Sequence, residues 1–60
     1  MTDFVGRTLN DTLETMLVDY KQAYRVTRRD GQPTTVTRDY RPDRLNFEVE
    51  DGVIVRQFLG

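Results

Sequence analysis

Between positions 24 and 44 this chain gathers Arg25, Arg28, Arg29, Arg38, Arg41 and Arg44, six of its nine basic residues, with Tyr24 and Tyr40 among them. At such density guanidinium groups do one of two kinds of work. They hold phosphates while neighbouring rings stack on bases, which builds an RNA interface, or they reach carbonyl and carboxylate oxygens of their own chain and stiffen a loop. Asp30, Asp39 and Asp43 lie in the same stretch, diluting a positive surface and supplying acceptors for internal bonds. The alternation fits internal bracing better than a phosphate patch. Solvated loop charges of little mutual energy are the plain alternative.

Other chemistry is scarce. The chain holds no His and no Cys, which removes the imidazole base, the thiolate, the soft metal ligand and the disulfide. Lys21 is alone on an expected helix surface, so the Thr and Tyr hydroxyls have no evident activating base. Carboxylate pairs such as Asp39 with Asp43, or Glu50 with Asp51, are the right type for a hard cation or acid–base work, yet each lies beside arginine or in a turn. A Gly-rich phosphate loop and internal repeats are both missing. No enzyme activity, cofactor or metal is therefore expected. A net charge of -1 provides no overall field toward nucleic acid or an anionic membrane, and neither is expected as a partner.

The elements that must position these residues follow from periodicity. Sixty residues, 37% hydrophobic and 32% charged, with a mean hydropathy of -0.66, suit one small soluble domain of thin stability, expected to be monomeric. Thr8 as cap with Asp11 three residues on signals a helix start, and Leu9, Leu13, Met16, Leu17 and Tyr20 repeat at the spacing of one buried stripe. The helix is predicted over about 9–21. Tyr24 and Val26 alternate with Arg25 and Thr27, predicting a strand over about 23–28. Asp30-Gly31, Pro33 and a Thr-rich run mark a loop of about 30–43, whose β-branched residues and flanking Pro33 and Pro42 favour extended, restrained backbone. Leu45, Phe47 and Val49 resume the alternation, and Asp51-Gly52 turns it into a hairpin over about 44–59. The prediction is an α+β domain, a single helix packed on a small mixed sheet of about three strands. Its core is expected from Leu9, Leu13, Met16, Leu17, Tyr20, Val26, Leu45, Phe47 and Val49. Met1 to Asn10 do not read as a signal peptide, so location stays open: cytoplasmic, or secreted or periplasmic if a leader has been removed.

A loop this long without structure of its own is uncommon in a compact domain and is usually functional. Its sequence, Val36-Thr37-Arg38-Asp39-Tyr40-Arg41-Pro42-Asp43-Arg44, resembles the binding loop of the potato inhibitor I family of serine-protease inhibitors. Val5-Gly6-Arg7-Thr8 is similar to that family's helix opening, Gly31 opens the loop, and Gly60 stands where the family has its terminal glycine. Asp39-Tyr40-Arg41-Pro42-Asp43-Arg44-Leu45-Asn46 resembles more closely still the signature of a related microbial set, peptidase inhibitor family 78.

The resemblance implies a substrate-like inhibitor whose loop adds to a protease cleft as a strand and offers one side chain to the primary pocket. By position the reactive bond is Arg38–Asp39, with Val36 and Thr37 on the acyl side and Tyr40 and Arg41 on the leaving side. An arginine at that place suits trypsin-like enzymes. The family braces its loop with arginines from the following strand. Arg44 occupies the first such position and is expected to contact Thr37 and Asp39. Asn46 stands where the second arginine would be, so the C-terminal side of the loop is expected to be held less firmly. Two cysteines common in the microbial set are missing, Leu59 standing where one is usual. The other reading is a non-inhibitory binding module that uses its Arg-rich loop for RNA or a protein partner. Residue by residue, Tyr40 as a cover for the loop base, Thr37 as an ordinary strand residue and Arg44 in a surface ion pair are the plainer roles.

Overall fold

The computed structural model describes residues 3–60. A single helix, α1 (Asp11–Asp19), lies against one mixed sheet of β1 (Tyr24–Arg29), β2 (Gln32–Pro33), β3 (Leu45–Glu50) and β4 (Val53–Leu59), in the order β2-β1-β3-β4. The α+β architecture holds, with four strands in place of about three.

The helix starts later than its capping pattern predicts. Asn10, in extended backbone, accepts a hydrogen bond from the Leu13 N–H at 3.0 Å, while Thr8 pairs as a strand residue with Val53. The segment before the helix is thus tied to the outer edge of β4, Gly6 N–H donating to Ile54 O at 2.8 Å and Ile54 N–H to Arg7 O at 2.9 Å. Asp11 and Glu14 fall in the first turn, where negative charge suits the helix dipole. At the other end Lys21 takes a left-handed backbone (φ 55°), and Lys21 and Gln22 donate back to Val18 O and Leu17 O. That pair of bonds is a Schellman cap. It ends the helical period before Tyr20 can join the buried stripe, and Tyr20 is 79% exposed.

Asp30-Gly31 and Asp51-Gly52 form twin two-residue hairpin turns, all four residues having positive φ, as the favoured hairpin turn requires. The first pairs Arg29 with Gln32 and Arg28 with Pro33, so the segment expected as loop from residue 30 begins as a hairpin. Its return strand is two residues long and carries a proline that a sheet edge tolerates. Asp30 also receives the Asp51 N–H on its carboxylate at 2.7 Å, locking the two turns together.

β1 and β3 run parallel, Tyr24 beside Leu45 and Val26 beside Phe47. A parallel pair needs a crossover, so the chain leaving Arg29 must return the full length of the sheet before β3 can start. Residues 34–44, outside any strand, complete that return. On one face of β3, Leu45, Phe47 and Val49 are buried with Leu13, Leu17, Phe4 and Ile54, and Leu9, Met16, Tyr24 and Val26 pack around them. Phe4 meets Phe47 edge-on at 6.0 Å. Phe4 and Ile54 enlarge the core beyond the expected set. The chain has no cysteine and no disulfide, and among the described residues no helix is long and apolar enough to cross a membrane.

Candidate functional site

The opposite face of β3 is polar, and its N-terminal end is covered as well. Alternation puts Arg44 and Asn46 there, yet Arg44 is only 8% exposed and Asn46 is 0% exposed, because residues 37–40 and Gly60 lie over them. Burial of a guanidinium and an amide demands a full set of partners. Among the described residues no buried side-chain nitrogen or oxygen lacks one.

Arg44 spends its fork on both ends of the covering layer. Nε donates to Gly60 O at 3.0 Å, NH2 to the Asp39 backbone oxygen at 2.7 Å, and NH1 to the Asp39 carboxylate at 3.2 Å. Asn46 donates through Nδ2 to Phe58 O and Gly60 O, each at 3.2 Å, and accepts from Arg25 Nε on Oδ1 at 2.5 Å. Arg25, so aligned, donates through NH1 to the Thr37 backbone oxygen at 3.0 Å and stands 4.0 Å from the Asp39 carboxylate. The Thr37 hydroxyl donates to that same carboxylate. Asp39 therefore gathers Thr37, Arg44 and Arg25. The Thr37 hydroxyl bond first, and the Arg44 guanidinium after it, pull its pKa from an ordinary 3.8 to about 2.

The remaining anchors sit at the ends of the segment. Thr34 donates its N–H to Thr27 O and its hydroxyl to Val26 O, fastening the start to β1. Arg44 N–H closes a turn on Arg41 O through Pro42 and Asp43, and the Gln22 amide donates to Asp43 O at 2.9 Å from the end of the helix.

Between these anchors Arg38 is exposed, and among the described residues no hydrogen bond or ion pair engages it. Val36, Tyr40 and Arg41 are exposed as well. The side chains of Thr37 and Asp39 turn into the network, while Val36, Arg38 and Tyr40, at alternate positions, are presented to solvent. The Tyr40 ring lies beside Gly60, 3.9 Å from where a Cβ there would stand.

The structure thus brings Thr37, Asp39, Arg44 and Asn46 into one network and leaves Val36, Arg38, Tyr40 and Arg41 outside it. One expectation changes: Arg44 hydrogen-bonds Asp39 and not Thr37, whose carbonyl accepts from Arg25. Asn46 is buried and carries Arg25 on its side-chain oxygen, a brace on the acyl side of the loop. Arg25 was masked by its own pattern, since alternation with Tyr24 and Val26 assigns it to a solvent-facing side. The signal for it was Asn46, an amide amid apolar strand residues and in register with Arg25. Gln22 donates to a backbone oxygen and Gly60 accepts on its own, and neither role has a signal in the residue type.

No family model matches the chain, and no curated protein matches it.

Proposed function

We propose that this chain is a substrate-like inhibitor of serine proteases, of the potato inhibitor I kind, presenting Arg38–Asp39 as its reactive bond to trypsin-like enzymes. One observation carries the reading. The backbone oxygens of Thr37 and Asp39, on either side of Arg38, are each held by an arginine, while Arg38 itself is exposed and free. A loop meant for general contact has no need to immobilise the two neighbours of one unencumbered basic residue.

The mechanism follows from that arrangement. The backbone at 36–38 pairs with the edge of the protease cleft, and Arg38 enters a pocket floored by a carboxylate. The enzyme's serine adds to the Arg38 carbonyl. When the peptide bond opens, the amine of Asp39 leaves, but Arg44 still holds the backbone and carboxylate of Asp39, and Thr37 still bonds that carboxylate. The amine stays beside the acyl group at high effective concentration and closes the bond again faster than water competes. A braced loop also loses little conformational entropy on docking, so more of its contact energy appears as affinity.

The RNA reading is weakened by the same bonds, because Arg25 and Arg44 are committed inside the network and cannot also serve phosphates. The deciding experiment is a titration of trypsin, with chymotrypsin and elastase in parallel, following activity for hours and the inhibitor's mass at the end. Lasting inhibition of trypsin with intact protein, or one cut between Arg38 and Asp39, supports the reading. Rapid degradation, or no effect on any of the three, overturns it. Binding to RNA that collapses between low and moderate salt would favour the alternative.

A further inference from the structure

We infer that Arg25 is the second positioning residue of the loop, working through Asn46, and that it and Arg44 divide the reactive bond between them: Arg25 fixes the acyl side and Arg44 the leaving side. The inference rests on the proposed inhibitory reading for its meaning, though not for its test.

The geometry separates the two arginines cleanly. Arg25 rises from β1, and its backbone contact is the Thr37 oxygen; Arg44 precedes β3, and its loop contacts are both on Asp39. Neither makes a backbone contact on the other's side of Arg38. Arg25 alone would be a flexible side chain with several rotatable bonds, a poor clamp. Asn46 removes that freedom: buried and tied to Phe58 O and Gly60 O, it offers Oδ1 at a fixed point, and the Arg25 fork spans from there to Thr37. The rigid core strand thus reaches the acyl side through a neighbour's guanidinium, without needing a longer side chain at position 46. Asp39 joins the halves through side chains only, by its bond from the Thr37 hydroxyl and the 4.0 Å approach of Arg25.

This division gives each arginine its own consequence. Loss of Arg25 frees the strand-forming residues that must pair with a protease, raising the dissociation constant. Loss of Arg44 frees the amine that must return, raising turnover.

The test uses backbone 15N relaxation on the free protein, so it needs no protease. In Arg25→Ala the amide order parameters of Thr37 and Arg38 should fall from about 0.85 toward about 0.6, with a smaller change at Asp39 and Tyr40. Arg44→Ala should show the reverse distribution. Arg25→Lys keeps the charge but cannot span Asn46 Oδ1 and Thr37 O together, and it should resemble Arg25→Ala. Wild-type order parameters in Arg25→Ala, wild-type rigidity in Arg25→Lys, or the same residues loosened in both alanine variants would each overturn the division. A trypsin arm then reads function: weaker inhibition by several-fold with Arg25→Ala, faster cutting by at least about tenfold with Arg44→Ala. If the wild-type protein itself fails to inhibit trypsin, the inhibitory reading falls, while the relaxation data still decide the brace.

Discussion

Arg44 holds Asp39 twice with one guanidinium, at the backbone oxygen 2.7 Å away and at the carboxylate 3.2 Å away. Its third contact is the Gly60 oxygen. A planar group with donors on three nitrogens can do this; an ammonium acts as a single point and cannot.

Replacing Arg44 should therefore damage the loop more than the fold. Arg44→Ala is expected to be cut by trypsin between Arg38 and Asp39 at least about tenfold faster, equivalent to ~1.4 kcal/mol of lost positioning. Arg44→Lys should recover only a small part. Mass spectrometry of timed digests measures both, and an unchanged cutting rate in Arg44→Ala would sink the bracing account.

No hydrogen bond or ion pair engages Arg38 within the described residues, so its removal should leave the fold alone. Arg38→Ala is expected to melt within a degree or two of the wild type and to lose trypsin inhibition. Calorimetry and a trypsin titration on the same sample check the pair of outcomes, and undiminished inhibition would reject Arg38 as the presented residue.

Asp39 makes the network sensitive to strong acid only. Its folded pKa lies near 2, below the ordinary 3.8, so protons bind the free carboxylate more readily than the bonded one. The network's contribution is complete above about pH 4 and is lost as pH falls through about 2. Backbone 15N order parameters at 37–40 should stay high at pH 4 and fall near pH 2 before those of β3 do. In Asp39→Asn that pH step should be absent; a step of equal size in the variant would assign it to another group.

Lys21 offers a gain. A non-glycine residue in left-handed backbone costs about 1 kcal/mol, and the Schellman cap needs only the backbone of that position. Lys21→Gly is expected to stabilise the domain by about 0.5–1 kcal/mol, raising Tm by roughly 2–8 °C at this size. Thermal melts at neutral pH decide it, and a lower Tm would mean that the Lys21 side chain stabilises the fold.

The sequence alone determined the local elements that depend on neighbouring residues. The stripe Leu13, Met16, Leu17 specifies a helix face, Leu45, Phe47 and Val49 a half-buried strand, and Asp51-Gly52 a tight turn, because each is set by side-chain period or backbone freedom within a few positions. It also put Thr37, Asp39 and Arg44 near one another, since they lie within eight residues of chain. Only the tertiary structure decided what the polar residues do. The parallel pairing of β1 with β3 forces the connection back along the sheet and over the second face of β3, turning Asn46 from an apparent surface amide into a buried one. The same pairing brings Arg25, twelve residues from Thr37, under that residue's carbonyl. Whether a polar side chain faces water or another segment depends on which part of the chain covers it, and no local pattern encodes that cover.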